Sequence, residues 1–177
     1  MENPSLTGVL LVGGASRRFG SAKALAPFAG TTLAERAWRV LGEACEERLA
    51  FGKADDELAL PFPVRDDGIE LRAPIAGVVA GLRAASHELC VFLPVDVPRV
   101  TPNLVRALGN ACLEAAITQT GALPAALARS ALPVLERRLA RSELALRDAL
   151  AELETAVVEA DPALLVNVNA PQELAAL

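Results

Sequence analysis

The residues best suited to chemistry lie in one long loop near the start of the chain. Residues 6–12 form a short apolar run that predicts a buried strand, and the loop behind it, residues 13–31, is far longer than an ordinary strand-to-helix connection. Its glycines let backbone N–H groups approach a ligand closely. Its cations, Arg17, Arg18 and Lys23, can neutralise phosphate oxygens. In a chain of formal net charge −5, this loop is predicted to bind an anion, with phosphate as the first candidate.

The loop follows neither of two common phosphate-binding patterns. Gly20 is followed by Ser-Ala-Lys-Ala, where a Walker A loop has Lys-Ser or Lys-Thr. The glycines also lack the G-x-G-x-x-G spacing of dinucleotide-binding domains, which argues against a nicotinamide-dependent dehydrogenase. The alternative interpretation is a surface loop whose cations are solvated.

Asp96 follows the clearest buried strand in the middle of the chain, residues 89–94, and stands between Pro94 and Pro98. In a doubly wound sheet, ligands bind outside the carboxyl ends of the strands, so we expect Asp96 and the glycine-rich loop to share one crevice. One aspartate is enough for Mg²⁺, which completes its coordination shell with waters and substrate phosphate oxygens. A helix-capping or turn aspartate is the alternative.

Two further polar pairs are candidates for ligand contact. Asn167 and Asn169 alternate along an extended apolar stretch and are predicted to face the same side, where their amides offer donors and an acceptor to a pterin or a base. Turn-forming asparagines are the alternative. Asp66 and Asp67, followed by Gly68, carry an ordinary turn signal, and a solvated turn is one interpretation of it.

Strand and helix patterns alternate along the whole chain, and their order predicts how the candidates are positioned. We expect an α/β fold, a single doubly wound, Rossmann-like, three-layer domain over residues 1–177 with a mainly parallel sheet. The predicted strands are residues 6–12, 48–52, 62–65, 89–94, 123–128 and 155–159. The predicted helices begin at the Thr32 capping box, at Pro74 and after Thr101, and continue with residues 131–139, residues 143–153 and a last helix at Pro171.

Composition supports one domain and argues against several classes of partner. Of the 177 residues, 53% are hydrophobic and 3% are aromatic, which suits helices packed closely on a sheet. The pI near 5.0 argues against nucleic-acid and membrane-surface binding, and no apolar run is long enough to span a bilayer. Three widely spaced cysteines fit no zinc site. They favour buried thiols in a reducing compartment, so we expect a cytoplasmic location.

Four segments of the chain resemble the molybdenum cofactor guanylyltransferase (MobA-type) family. Residues 11–23, Leu-Val-Gly-Gly-Ala-Ser-Arg-Arg-Phe-Gly-Ser-Ala-Lys, are similar to its signature L-A-G-G-x-S-x-R-M-G-x-D-K. Residues 74–77 resemble its P-L-A-G segment, residues 93–98 its metal-binding P-C-D-x-P segment, and residues 166–171 its closing N-x-N-T-P segment. The motifs occur in the family's order and span nearly the whole chain.

The resemblance implies a fold of nucleotidyltransferase type and a magnesium-dependent reaction. GMP from GTP would be joined to molybdenum-bound molybdopterin, pyrophosphate would leave, and molybdopterin guanine dinucleotide would form. Both substrates are small molecules, and the role is compatible with transient contacts to molybdoenzymes or other cofactor-biosynthesis proteins.

The resemblance also assigns residues to these roles, with Asp66 left open beside Asp67. The implied catalytic residues are Arg18, Lys23 and Asp96, of which Asp96 would bind Mg²⁺. The implied nucleotide-binding residues are Leu11, Val12, Gly13, Gly14, Lys23, Asp67 and Asp96. The implied residues for the pterin substrate are Asn167 and Asn169.

The chain departs from the family pattern at four positions. Phe19 replaces a Met, Ala22 replaces the Asp before the lysine, and Ala73 replaces a Gly. Gly52 stands where the family carries an asparagine that contacts the nucleotide. Two alternatives therefore stay open. One is a related enzyme that uses another nucleotide or acceptor, such as CTP with molybdopterin, and the other is a nucleotide-binding regulator that has lost catalysis.

Overall fold

The structure of the chain is a computed structural model that describes residues 4–13 and 22–177. The predictions made for Gly14, Arg17 and Arg18 lie outside the described residues. Nine strands are found within those ranges: β1 (Leu6–Leu11), β2 (Pro27–Phe28), β3 (Thr31–Thr32), β4 (Glu47–Gly52), β5 (Arg65–Asp66), β6 (Leu89–Pro94), β7 (Ala115–Thr118), β8 (Gly121–Ala128) and β9 (Thr155–Val158). The α-helices there are α1 (Leu33–Ala44), α2 (Pro74–Ala84), α3 (Pro102–Ala111), α4 (Leu132–Ala140), α5 (Leu146–Leu150) and α6 (Pro171–Ala175).

Seven of the strands form one sheet in the order β5-β4-β1-β6-β8-β7-β9. The pairs β1–β4, β1–β6, β4–β5 and β7–β9 are parallel, whereas β8 runs antiparallel to both of its neighbours. The prediction of a mainly parallel sheet is confirmed. The chain order reverses between β1 and β6, and doubly wound sheets bind ligands at that point, outside the carboxyl ends of the strands.

Helices cover both faces of the sheet. Helices α1, α3 and α6 pack on one face in a cluster that includes Leu6 and Leu10 of β1, while α2, α4 and α5 pack on the other face with Val9 and Leu11. Successive side chains of a strand point to opposite faces, so one buried strand supplies both clusters. The three-layer arrangement is therefore confirmed.

Local signals explain where the helices begin. Thr32 accepts a hydrogen bond from the N–H of Glu35, whose carboxylate accepts one from the N–H of Thr32, which completes the capping box of α1. Pro74 stands in the first turn of α2, where its missing N–H costs nothing. A Cβ at Gly81 would lie 2.7 Å from the Phe92 ring, so this glycine lets α2 approach the sheet closely.

No helix in the described ranges is long and apolar enough to cross a membrane.

Some predicted elements differ from the structure. Strand β7 is missing from the prediction because a four-residue run with two alanines carries little β-propensity. The strand predicted over residues 62–65 is wrong in position: Phe62 is buried and stacks on Trp38 with the ring centroids 4.3 Å apart, and pairing begins only at Arg65. The helix predicted over residues 143–153 is shorter, Leu146–Leu150.

Candidate active site

A cleft of about 760 Å³ opens at the carboxyl ends of β1, β4 and β6. It lies where the strand order reverses, so the fold places it at the expected ligand crevice. Predicted residues that line it are Leu11, Val12, Gly13, Lys23, Asp67, Asp96 and Asn167. The cleft therefore collects residues that are far apart in the sequence and were singled out for different reasons.

The floor of the cleft is formed by the close approach of two backbones. The N–H of Val12 donates to the carbonyl of Phe51 at 3.0 Å, which continues the pairing of β1 with β4 beyond the end of β1. A Cβ added at Gly13 would lie 3.4 Å from the Cα of Gly52. Gly13 is exposed and lines the cleft together with Gly52, which places the first residue of the glycine-rich loop at the cleft surface.

Lys23, in the second half of the glycine-rich loop, also lines the cleft. It opens a single 3-10 turn, Lys23–Leu25, and its ammonium lies 3.6 Å from Oδ2 of Asp96. The same Nζ donates to the carbonyl of Val168 at 2.7 Å. The prediction that Asp96 and the loop share one crevice is confirmed for Lys23. Gly14 and Arg18 lie outside the described residues.

Asp96 is mostly buried at the cleft wall, with 27% of its side chain exposed. Burial raises the pKa of the carboxyl, since the charged form is disfavoured away from water, and Lys23 and the Asn167 side chain offset part of that effect. A bound cation would lower this cost further. Magnesium fits such a carboxylate, because it takes one or two from the protein and keeps waters and phosphate oxygens as its other ligands. In residues 4–13 and 22–177 no cluster of three or more His, Cys, Asp or Glu could build an all-protein metal site.

The structure separates Asp66 from Asp67. Asp67 lines the cleft with 7% of its side chain exposed, and its Oδ1 accepts hydrogen bonds from Nζ of Lys53 at 2.6 Å and from the N–H of Ile69 at 3.0 Å. Asp66 is exposed and accepts hydrogen bonds from the N–H groups of Ala54 and Gly68, which lower its pKa. Asp66 therefore matches the turn interpretation, whereas Asp67 lies where a ligand can reach it.

The closing asparagines also differ in position. Asn167 lines the cleft beside Asp96, and the N–H of the buried Val168 donates to the carbonyl of Asp96 at 2.8 Å. Asn169 lies outside the cleft lining, and its N–H donates to the carboxylate of Glu173 at the start of α6. The two amides therefore do not contribute equally to the cleft.

Two parts of the lining that were not predicted from the sequence bear on ligand binding. One is Lys53, directly after β4, whose Nζ also donates to the carbonyl of Ile69. The other is a largely apolar wall beyond β6, contributed by the turn into β8 and by nearby leucines: Thr120, Gly121, Ala122, Leu123, Leu146 and Leu165. A lone lysine after a strand and a Thr-Gly turn are common surface features, so neither carries a signal without the fold.

Comparison with known proteins finds a matching family model and relatives that cover nearly the whole chain. The model of the MobA-like NTP transferase domain matches residues 8–160. A molybdenum cofactor guanylyltransferase from Burkholderia vietnamiensis is 36% identical over 196 residues, which cover 98% of this chain and 96% of that protein. The corresponding protein of Burkholderia orbicola (strain MC0-3) is also 36% identical, over 99% of this chain and 96% of its own length.

Solved structures share the fold at lower identity. Molybdopterin-guanine dinucleotide biosynthesis protein A from Archaeoglobus fulgidus superposes with a TM-score of 0.82 and 22% identity, covering 96% of this chain and 95% of its own. The 2-C-methyl-D-erythritol 4-phosphate cytidylyltransferase from Thermus thermophilus superposes with a TM-score of 0.72 and 21% identity, covering 95% of both chains. With its matching family model and its near full-length relatives, the chain belongs to the MobA-like NTP transferase domain family.

Proposed function

We propose that the chain is a molybdenum cofactor guanylyltransferase. It would join the GMP part of GTP to the terminal phosphate of molybdenum-bound molybdopterin and release pyrophosphate. The names and near full-length coverage of the Burkholderia relatives support this reaction, as does a cleft that brings a lysine, an aspartate and an amide together. No nucleic acid or lipid is needed as a substrate.

The reaction needs no nucleophilic side chain from the protein. An oxygen of the molybdopterin phosphate attacks the α-phosphorus of GTP, a new P–O bond forms, and the bond from the α-phosphorus to the bridging oxygen of pyrophosphate breaks. Catalysis then consists of alignment and of charge neutralisation on the phosphate oxygens. The cleft is equipped for both tasks.

The residues of the cleft divide these tasks among them. The amide that follows β1 at Gly13, with Lys23, would hold the triphosphate and stabilise the departing pyrophosphate. Asp96 would hold Mg²⁺, which supplies positive charge to the phosphate oxygens when it is bound. Gly14 and Arg18 keep the roles predicted from the sequence, as phosphate-binding residues of the same loop.

The two substrates would lie on opposite sides of Asp96. Asp67 follows β5, on the β4 side of the sheet, and would contact the nucleotide. The apolar wall beyond β6 lies on the β8 side and, with Asn167 beside Asp96, would contact the pterin. With this division, the α-phosphorus would lie between them, near Lys23 and Asp96.

The observation that carries the proposal is the meeting of Lys23 and Asp96 in the ligand crevice of the fold. A panel of GTP, CTP and ATP with Mg²⁺ and molybdenum-loaded molybdopterin tests it, scored by pyrophosphate release and by mass spectrometry of the product. We expect turnover with GTP and loss of turnover on chelation of Mg²⁺. Turnover with CTP alone would replace the guanine assignment, and nucleotide binding without turnover would indicate a regulator.

Two predictions from the sequence remain beside this proposal. Contacts with molybdoenzymes or other cofactor-biosynthesis proteins are predicted from the resemblance, and a cytoplasmic location is predicted from the cysteine content. Each is open to direct test by pull-down and by cell fractionation.

A further inference from the structure

Lys53 and Asp67 form a nearly buried ion pair in the cleft wall. Their Nζ and Oδ1 atoms are 2.6 Å apart, and only 11% and 7% of the two side chains are exposed. Both residues nevertheless line the cleft, so the exposed part of each side chain is the part that a ligand meets. Burial of two charges is costly unless further polar contacts satisfy them. A ligand in the cleft can supply such contacts to the hydrogen-bonding groups that the pair does not use.

The hydrogen bonds of the pair leave one donor and one acceptor for a ligand. A lysine ammonium has three N–H donors, and Lys53 directs one to Asp67 and one to the carbonyl of Ile69. In the described part of the chain, the hydrogen bonds to the Asp67 carboxylate end on Oδ1. The third N–H of Lys53 and both lone pairs of Oδ2 of Asp67 are therefore the groups available at the cleft surface.

The pair lies at a distance from the triphosphate site that suits a nucleobase. Lys53 directly follows β4, and Asp67 directly follows β5, which is two strands from β1 in the sheet. Adjacent strands are about 4.8 Å apart, so two strands correspond to roughly 10 Å. A ribose bridges that gap between phosphates bound after β1 and a base edge at β5.

We propose that Lys53 is a specificity-determining residue that selects guanine together with Asp67. The inference rests on the proposed function, because it assumes that the triphosphate binds after β1. The third N–H of Lys53 donates to O6 of the base, and Oδ2 of Asp67 accepts from N1–H and from the 2-amino group. Lys53 thereby supplies a polar contact beside Gly52, which has no side chain of its own.

Among the four bases, guanine alone matches this pair at three adjacent positions. Its pairing edge presents an acceptor, O6, next to two donors, N1–H and the 2-amino group. Cytosine presents one donor next to two acceptors, uracil places its donor between two acceptors, and adenine offers one donor and one acceptor. In either pyrimidine, the acceptor O2 would face the Asp67 carboxylate. Two acceptors with no proton between them repel each other.

Nucleotide analogues test the inference on the unmodified protein. Dissociation constants are measured for GTP, for 6-thio-GTP, whose sulfur is a weak acceptor at position 6, and for inosine triphosphate, which lacks the 2-amino group. We expect each analogue to bind about tenfold more weakly than GTP. Equal binding of all three would overturn the inference, and this comparison needs no variant to fold.

The variant Lys53→Met then separates base reading from a structural role. We expect GTP to bind about tenfold to a hundredfold more weakly, CTP and ATP to bind as before, and the preference for GTP over 6-thio-GTP to disappear. An equal loss for every nucleotide would indicate a structural or phosphate contact and would overturn the inference. Arg83→Met is the matched control, because it breaks a 2.6 Å ion pair with Glu136 on the surface of the protein.

A measurement of pyrophosphate release distinguishes a failure of this inference from a failure of the proposed function. Selective GTP binding that is lost in Lys53→Met, in a chain that releases no pyrophosphate with molybdopterin, would support base reading and defeat the proposed reaction. Turnover with GTP and an unchanged GTP:CTP ratio in Lys53→Met would support the reaction and defeat base reading.

Discussion

The ammonium of Lys23 lies 3.6 Å from the carboxylate of Asp96 and at the same time binds the carbonyl of Val168. Val168 returns a hydrogen bond from its N–H to the carbonyl of Asp96. Three segments that are distant in the sequence are thereby connected at one point: the glycine-rich loop, the end of β6 and the closing segment. A phosphate that draws Lys23 toward itself would act on all three.

Asp96→Asn is the first test of this centre. The amide keeps the shape of the carboxyl but cannot hold Mg²⁺ as a charged ligand, so we expect kcat/KM for pyrophosphate release to fall by about a hundredfold or more. The measurement is steady-state turnover with saturating molybdopterin, together with a circular dichroism spectrum to confirm folding. A well-folded Asp96→Asn protein with normal turnover would exclude Asp96 from catalysis.

The same variant is expected to change stability in a pH-dependent way. Burial raises the pKa of Asp96 in the folded protein, so the folded state holds the proton more tightly than the unfolded state. Stability from this group is present at low pH and is lost as the pH rises through the folded pKa. Asp96→Asn removes that loss, so we expect a higher Tm than the wild type at about pH 7.5 and a gain that disappears as the pH falls below the ordinary carboxyl pKa of 3.8. A gain that grows on acidification would show that Asp96 is not destabilised by burial.

The sequence predicts the frame of this site better than its lining. The apolar runs of β1 and β6, the capping box at Thr32 and the proline at the start of α2 predict elements that the structure contains. Because parallel strands end at one edge of a sheet, the joint position of Lys23 and Asp96 follows from that pattern. The role of Lys53 does not follow, since its partner Asp67 is fourteen residues away and is brought to it only by the pairing of β4 with β5.

Periodicity also fails to separate neighbouring residues of one type. Asp66 and Asp67 have the same turn signal, and only the backbone of the described structure shows which carboxylate faces the cleft. Asn167 and Asn169 alternate in sequence, yet the N–H of Asn169 is bonded to Glu173 and its side chain lies outside the cleft lining. Such choices depend on contacts between segments, which local patterns do not contain.

The two asparagines are therefore expected to respond differently to substitution. Asn167→Ala removes an amide from the cleft, and we expect KM for molybdopterin to rise about tenfold while KM for GTP changes little. Asn169→Ala is its matched control and is expected to leave both KM values within about twofold. Initial rates with each substrate varied in turn provide the measurement. Equal effects of the two variants would contradict the assignment of Asn167 to the acceptor side.

The cysteines provide a test of the packing around the sheet. Burial raises the pKa of the Cys45 and Cys90 thiols to about 12 and that of Cys112 to about 11. Because the thiolate is the reactive form, we expect the native protein to react slowly with an aromatic disulfide reagent at about pH 8, and all three thiols to react promptly in denaturant. Fast labelling of the native protein would show that these helices and strands are more open than the structure describes.

The last prediction concerns the packing of Val12 against Gly52. A Cβ added at Gly52 would lie 2.9 Å from Cγ2 of Val12 and 3.3 Å from Cγ1 of Val64. We therefore expect Gly52→Ala to lower the free energy of unfolding by about 1–3 kcal/mol through overpacking. Gly121→Ala is the control, since a Cβ there meets nothing within 4 Å, and denaturant titration is the measurement.

The double variant Val12→Ala/Gly52→Ala tests whether side chains at the two positions compete for the same space. Removing Cγ2 of Val12 takes away the nearest atom, so the double variant should be more stable than the sum of the two single changes implies. Simple additivity would contradict the close contact. Coupling would mean that Val12 occupies the space into which a side chain at position 52 would extend, so that a side chain cannot be added there without a change at Val12. In this chain, the polar side chain that directly follows position 52 is that of Lys53, and we expect the base preference to depend on it.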